Sequence, residues 1–514
     1  MTVAFELDAS GAWNEMFEAP GVPRALYRPV VEQLSMATMR ELHQRRDLLA
    51  RTFSDRGVTF AFSGEERPFP LDLLPRVISA LEWDLVARGI SQRVRALEAF
   101  LADVYGDGQI FNDGLIPRSV VLSSPNFIRA AKGIVPENGA RVTVSGVDLI
   151  RDELGAFRVL EDNVRIPSGV SYVIENRRAM TQHASSLFSE YSVHPVDEYP
   201  SRLLAALRSA APQVTEPVVV VLTPGVHNAA YFEHVLLARM MGAELVEGSD
   251  LICRSNKVFM RTTHGERQVH SIYRRVDDEW LDPLHFRFDS MVGVPGLVNA
   301  ARAGNVAIAN ALGNGVADDK LVYTYVPSFI SYYLGEQPLL ENVETYRLED
   351  AEIRGEVLGA LDRYVVKPVD GSGGKGIVIG HLASEEELAA TAAAIAADPR
   401  KWIAQRPVAL STMPTLTEST IGARHIDLRP FAINDGESVW VLPGGLTRVA
   451  LAEGELVVNS SKGGGSKDTW VVDDRRRGIP QGQQRSEEPV PVLVPKASGA
   501  LRQSDPVLRA EDDQ

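Results

Sequence analysis

Between Ser145 and Ser171 the chain reads SGVDLIRDELGAFRVLEDNVRIPSGVS. Two short apolar strands, Val147–Ile150 and Phe157–Leu160, flank Arg151-Asp-Glu-Leu-Gly155, a polar turn that ends in glycine. This pattern predicts a β-hairpin. A hairpin brings strand ends together, so Asp148 approaches Glu161 and Asn163. Two carboxylates and one amide oxygen suit a hard cation such as Mg²⁺, which takes few protein ligands and leaves room for phosphate oxygens. The segment is a candidate metal–nucleotide site, and it lies in the first third of the chain.

The second signal is Val365-Val-Lys367-Pro-Val-Asp-Gly371-Ser372-Gly373-Gly374-Lys375-Gly376-Ile-Val378. Gly371, Gly373 and Gly376 spell GxGxxG, a motif that its context must decide. A dinucleotide fingerprint needs a helix after the glycines, and here a strand, Ile377–Ile379, follows. A Walker A loop needs Ser or Thr after its lysine, and Lys375 precedes Gly376. A protein-kinase loop also sits between strands, but its lysine lies on a third strand, and neither HRD nor DFG occurs here. What remains is a hairpin flap whose backbone N–H groups wrap polyphosphate, because glycine lets the backbone approach closely. Lys367, on the incoming strand, adds a point charge for the α or β phosphate. The bland alternative is a mobile surface hairpin with solvated lysines.

Composition narrows the partners. The formal charge of −15 argues against non-specific binding to nucleic acid or anionic membrane. The one cysteine, Cys253, cannot form an internal disulfide, so a reducing compartment and a buried structural thiol are expected. The start, MTVAFELDASGAWNEMF, lacks the basic and apolar regions of a signal peptide, and the run Pro217–Leu222 is too short for a bilayer. The expectation is a cytoplasmic protein.

The 514 residues accommodate about two to four domains. Residues 1–120 read as a mainly helical region, with Leu71–Ala102 showing apolar residues at threes and fours. Residues 121–214 carry the hairpin and then a helix over Arg178–Glu190. Residues 215–345 start at the linker signal Thr215-Glu-Pro217. They continue as strand Val218–Leu222, helix Ala229–Met241 closed by Gly242, and a strand from Glu244. That is a βαβ unit, hence a Rossmann-like subdomain. Residues 346–410 hold the lysine strand, the flap, an alanine-rich helix opened by Ser384-Glu-Glu-Glu387, and a strand over Trp402–Val408. Residues 411–472 alternate as strands, among them Leu428–Ile433, Ser438–Leu442 and Glu455–Val458. Residues 473–514 are rich in Pro, Gln, Ser, Arg and Asp without periodicity and read as a disordered tail. The class is α/β (α+β).

Together the two motifs resemble the ATP-grasp superfamily of carboxylate–amine ligases. There a lysine strand and glycine-rich flap cover ATP, and a hairpin holds Mg²⁺ through an Asp and a Glu-x-Asn. Ser145–Ser171 is similar to the metal hairpin of D-alanine–D-alanine ligase in its Asp148-to-Glu161 spacing and its Asn163…Pro167…Gly169 continuation, with one extra residue before the proline. In ordinary members the flap precedes the hairpin; here the hairpin comes first. That order resembles the circularly permuted ATP-grasp type 2 family, related to glutathionylspermidine synthetase. Thr223–Leu251 and Ile272–Gly313 resemble that family as well.

The resemblance implies one or two Mg²⁺ ions on Asp148, Glu161 and Asn163. It places ATP against Lys367 and the flap Gly371, Ser372, Gly373, Gly374, Lys375 and Gly376. Gln405, Arg406 and Val408 look like the interlobe hinge that bonds adenine. Pro407 lacks an N–H, so the Arg406 carbonyl and Val408 N–H are the expected pair. Arg429, Arg448 and Arg165 are implied as catalytic, and Ser168, Gly169, Glu233, Arg275 and Asn459 as substrate contacts. D-alanine–D-alanine ligase has an arginine two residues before the metal Asp; here Gly146 stands there, and Arg429 or Arg448 is expected to supply the charge. Arg274-Arg275-Val-Asp277-Asp278 stays open between substrate contact and a solvated ion-pair face. Three activities remain in play: a ligase joining a carboxylate to an amine through an acyl phosphate, with a peptide-like or polyamine-like substrate; a phosphotransferase; and a non-catalytic nucleotide-binding protein.

Overall fold

Every residue of the strand Val144–Arg151 is buried. Its uniform burial, in place of a polar–apolar alternation, follows from a sheet covered on both faces. It pairs antiparallel with Phe157–Asn163, which sets Asp148 opposite Glu161 and Gly146 opposite Asn163. The turn between them is held by Asp152, whose side chain accepts the N–H groups of Leu154 at 3.1 Å and Ala156 at 2.8 Å. Gly155 takes φ +83°, and a Cβ there would stand 2.7 Å from the Trp13 ring.

The computed structural model describes residues 5–6, 12–62, 65–371, 376–451, 458 and 464–473, with backbone alone for 5–6, 60–62 and 65–66. The expected tail, apart from Asp473, and the expected strand Glu455–Val458, apart from Val458, lie outside them.

The hairpin belongs to a six-stranded sheet in the order Glu341–Asn342, Phe157–Asn163, Val144–Arg151, Arg429–Asn434, Val439–Val449, Gly465–Lys467. Strands from the first third of the chain are thus completed by strands from its far end. Beside it stands a four-stranded sheet, all parallel, in the order Glu244–Val246, Val219–Leu222, Ser271–Arg274, Ala307–Ala309. Its strand Val219–Leu222 is buried throughout, and the crossover helix Tyr231–Met241 stops at Gly242, which takes φ +67°. A third, antiparallel sheet orders Thr345–Arg347, Trp402–Gln405, Val365–Pro368 and Val378–Ile379. It packs its own small core of Leu348, Val357, Leu361, Val366, Ile395 and Ala404. Ser384 caps the helix Glu385–Ala397 by accepting the Glu387 N–H at 3.2 Å.

Four local expectations change. Leu71–Ala102 is not one helix: Arg76–Ser79 is a strand, and the helix Ala80–Val104 begins where the Ser79 hydroxyl accepts the Glu82 N–H at 3.1 Å. That strand pairs in parallel with Thr469–Val472, a partner too distant in sequence for periodicity to reveal. The helix expected from Arg178 starts at Val170, directly after Gly169, and breaks at Ala184. Strand Trp402–Gln405 stops short of Val408, because Pro407 cannot donate to the ladder. Residues 1–30 read from the sequence as a loosely structured lead-in, yet Met16 is fully buried and Glu15 accepts from Arg76, Arg151 and Ser411. Among the described residues, no helix is long and apolar enough to cross a membrane.

Candidate active site

One cavity opens between the six-stranded sheet and the small antiparallel sheet, and its two ends differ in chemistry. The polar end gathers Asp148, Glu161, Lys320, Lys367, Arg429 and Arg448. Ile150, Leu160, Val343, Val365, Ile379 and Leu410 line the apolar part, beside Gln405, Arg406 and Val408. Such a cleft matches a ligand with a flat apolar head and a polyanionic tail. Gln405 donates to the Thr345 hydroxyl at 2.9 Å, and the Arg406 N–H is taken by the Glu344 carbonyl at 3.3 Å.

At the polar end, Arg429 donates to both oxygens of Asp148, at 2.6 and 2.5 Å. Arg448 reaches Asp148 at 2.9 Å and also grips Asp427 at 2.9 and 2.5 Å. Both arginines, rather than one, therefore supply the charge that Gly146 lacks. Burial pushes the Asp148 carboxyl up, but the Arg429 and Arg448 guanidiniums outweigh it and hold the group below the usual carboxylate range. At Asp427 burial prevails over Arg448 and the carboxyl is raised.

Lys367 projects from its strand toward this acid pair. Burial lowers its ammonium to about 8, with Glu161 and Asp148 pulling the other way and Lys320 adding to the fall. Lys320 was not legible as a site residue. It donates to the Gly371 carbonyl at 2.6 Å and lies 3.5 Å from Glu161, joining flap base to hairpin. The signal available was Asp319, an N-cap whose side chain accepts the Leu321 N–H at 2.9 Å, placing Lys320 at the start of a short helix. Of the flap, Gly371 lines the cavity and Gly376 takes φ +73°. Ser372, Gly373, Gly374 and Lys375 lie outside the described residues, as does Asn459.

Four expected substrate contacts and one expected catalytic arginine stand away from the cavity lining. Arg165 pairs with Asp277 at 3.4 Å. Glu233 and Arg275 are buried, 0% and 3% exposed, and bond to the turn that carries Ser168 and Gly169. Arg274 is equally buried, donating to the Asn310 and Val276 carbonyls and to Asp278, so the 274–278 cluster is no solvated face.

Close to this turn, Asp318 accepts the Val164 N–H at 2.7 Å. Burial pushes its carboxyl up to about 7. Its folded state therefore binds a proton more tightly than the unfolded chain, whose Asp titrates near about 4, and stability is lost as pH rises between those values. Asp318→Asn keeps an acceptor and removes the charge. Thermal melts in EDTA should show the variant gaining roughly 2–4 °C at pH 8 and nothing at pH 4; an equal change at both values would contradict the assignment.

Two carboxylates and an amide are donor types that Mg²⁺ takes, with the Asp148 oxygens here engaged by Arg429 and Arg448. Asp148 and Glu161 are cross-strand neighbours on one face of the hairpin, and Asn163 lies two residues beyond Glu161, its amide nitrogen donating to Asp148 at 3.2 Å. Among the described residues no group of three His, Cys, Asp or Glu gathers as a metal cage. A two-carboxylate site completed by phosphate oxygens requires none.

The sequence model of the circularly permuted ATP-grasp type 2 family matches residues 75–450. This chain belongs to that family. It is 62% identical over 465 residues to an uncharacterized protein of Mycobacterium tuberculosis, covering 90% of this chain and 84% of that one. It is 47% identical over 470 residues to an uncharacterized protein of Synechocystis, covering 90% and 98%. A Frankia casuarinae protein provisionally named glutamate–cysteine ligase 2-2 is 45% identical over 464 residues, 89% of this chain and 53% of that one. This chain thus spans about half of that longer relative. Among solved structures, a glutathione synthetase-like effector of Globodera pallida in its apo form aligns with a TM-score of 0.57 at 12% identity, over 85% of this chain and 98% of that one. At that identity the likeness speaks for fold alone. The ATP-grasp membership accounts for a hairpin from early in the chain lying inside a sheet that closes late.

Proposed function

We propose that the chain is an ATP- and Mg²⁺-dependent ligase that joins a carboxylate to an amine through an acyl phosphate. The observation that carries this reading is the single cavity that sets two paired carboxylates, two lysines and two arginines at one end and an apolar slot with a hinge at the other. Asp148, Glu161 and Asn163 would hold Mg²⁺, which neutralises charge on the transferring phosphoryl group.

The adenine lies in the slot against the Arg406 carbonyl and Val408. Lys367 and Lys320 present ammonium groups to the phosphates. A substrate carboxylate oxygen attacks the γ-phosphorus, a new O–P bond forms, the β–γ bridge breaks, and ADP leaves. Arg429 and Arg448, already fixed by Asp148 and Asp427, face the charge that grows on the acyl phosphate. An amine then attacks the acyl carbon, loses a proton, and releases inorganic phosphate.

The relatives named as glutamate–cysteine ligases support a small amino-acid-like or peptide-like carboxylate. A polyamine-like amine remains within the class, and a cytoplasmic location suits ATP as substrate. ADP release across a matrix of carboxylates and amines, with mass spectrometry of products, tests the reading. ADP should form only when both partners are present, with a product mass equal to their sum less one water. ADP formation that needs no amine would favour a phosphotransferase, and absence of ATP turnover would favour a binding protein.

A further inference from the structure

We propose that Glu233 and Arg275 are positioning residues, a buried ion pair that latches the turn 167–171 and so fixes the exit of the metal hairpin. The inference rests on the ligase reading for its catalytic consequence. Residues 164–166 separate the turn from Asn163, the last residue of the metal strand, and the turn runs into the helix that starts at Val170. Glu233 comes from the crossover helix of the parallel sheet, and Arg275 directly follows its strand Ser271–Arg274.

Their bonds converge on that one turn. One oxygen of Glu233 accepts the Gly169 N–H at 2.7 Å, the Ser171 N–H at 3.1 Å and the Ser171 hydroxyl at 3.0 Å. Its other oxygen meets Arg275 at 3.2 Å. Arg275 in turn donates to the Pro167 carbonyl at 2.8 Å, to the Tyr273 hydroxyl at 3.1 Å and to the Ser168 hydroxyl. On the far side the turn has no slack. Gly169 takes φ +123°, and a Cβ there would stand 3.0 Å from Leu446 and 3.4 Å from Phe431, both on the six-stranded sheet.

A buried ion pair contributes little net stability, because desolvation offsets its attraction. Here it serves geometry. One carboxylate oxygen and one guanidinium bond backbone groups of Pro167, Gly169 and Ser171 and the hydroxyls of Ser168 and Ser171, and the nearby Tyr199 hydroxyl and Arg275 Nε are buried without a protein partner. The arrangement orders the segment leading out of the Glu161–Asn163 donors without either residue lining the cavity. This replaces the direct substrate contact expected of both.

The test uses the full chain and the variants Glu233→Gln and Ser168→Ala, the second removing one bond and no charge. Hydrogen exchange is followed over 164–172, AMP-PNP affinity is measured in EDTA, and AMP-PNP binding is titrated with Mg²⁺. Support for a metal ligand is typically worth about 10–100-fold. In Glu233→Gln, exchange over 166–171 should accelerate, and the Mg²⁺ needed for half-saturation should rise by about 10-fold or more. AMP-PNP affinity in EDTA should stay within about twofold, because the nucleotide cavity is not touched. Ser168→Ala should move the same two quantities less. Unchanged exchange, an unmoved Mg²⁺ requirement, or AMP-PNP affinity in EDTA falling in step would overturn the latch. A chain that binds Mg²⁺ and AMP-PNP but forms no ADP refutes the ligase reading alone, and these arms still decide the latch.

Discussion

Glu161→Gln is expected to lower ATP turnover by about 100–1,000-fold and to leave the fold intact. Glu161 is the cleanest probe of the acid pair. Its side chain is 31% exposed and its ion-pair partner, Lys320, stands 3.5 Å away. Loss of such a contact costs about 1 kcal/mol or less, so melting should barely move. Asp148 offers no such separation, because its removal strands Arg429, a largely buried cation, and takes from Arg448 one of its two carboxylate partners. ADP release at saturating Mg²⁺-ATP, read beside a thermal melt, checks the prediction. Unaltered turnover in a folded variant would remove Glu161 from the site.

Trp470→Ala is expected to cost about 3–5 kcal/mol of stability, the range for truncating a large buried aromatic. Trp470 is fully buried and meets Phe188 and Tyr191 edge-on at 5.3 and 5.6 Å. Its indole N–H donates to Asp468 at 2.5 Å, and Asp468 also anchors Arg177 at 2.9 Å. The strand it belongs to lies beyond the family match, which ends at residue 450, yet pairs with Arg76–Ser79 at the start of the long helix. Urea unfolding measures the loss; less than about 1 kcal/mol would show that this segment is not part of the core.

What the sequence disclosed was local. The hairpin was legible because its turn chemistry, Asp152 through Gly155, and its apolar strands lie within twenty residues. The crossover helix was legible because Gly242 ends it in the left-handed region. The arginine pair was half legible: Arg429 and Arg448 stood out, but that both grip Asp148 depends on strand pairing across almost three hundred residues. Lys320 escaped because no periodicity marks it. Arg274 and Arg275 stayed open between substrate contact and a solvated face because their partners, carbonyls at Asn310 and Pro167 and the carboxylate of Glu233, become neighbours only in the fold. The strand Arg76–Ser79 merged with the helix after it for the same reason.

The central claim is that a substrate carboxylate becomes an acyl phosphate in the cavity between Asp148 and Lys367. The most direct test supplies the carboxylate substrate labelled with ¹⁸O in both oxygens, together with Mg²⁺-ATP and the amine, and follows the label by mass spectrometry of the released phosphate. The account predicts one ¹⁸O in each inorganic phosphate and the other in the amide product, because the oxygen that attacked phosphorus leaves with it. Unlabelled phosphate formed alongside the amide would contradict it.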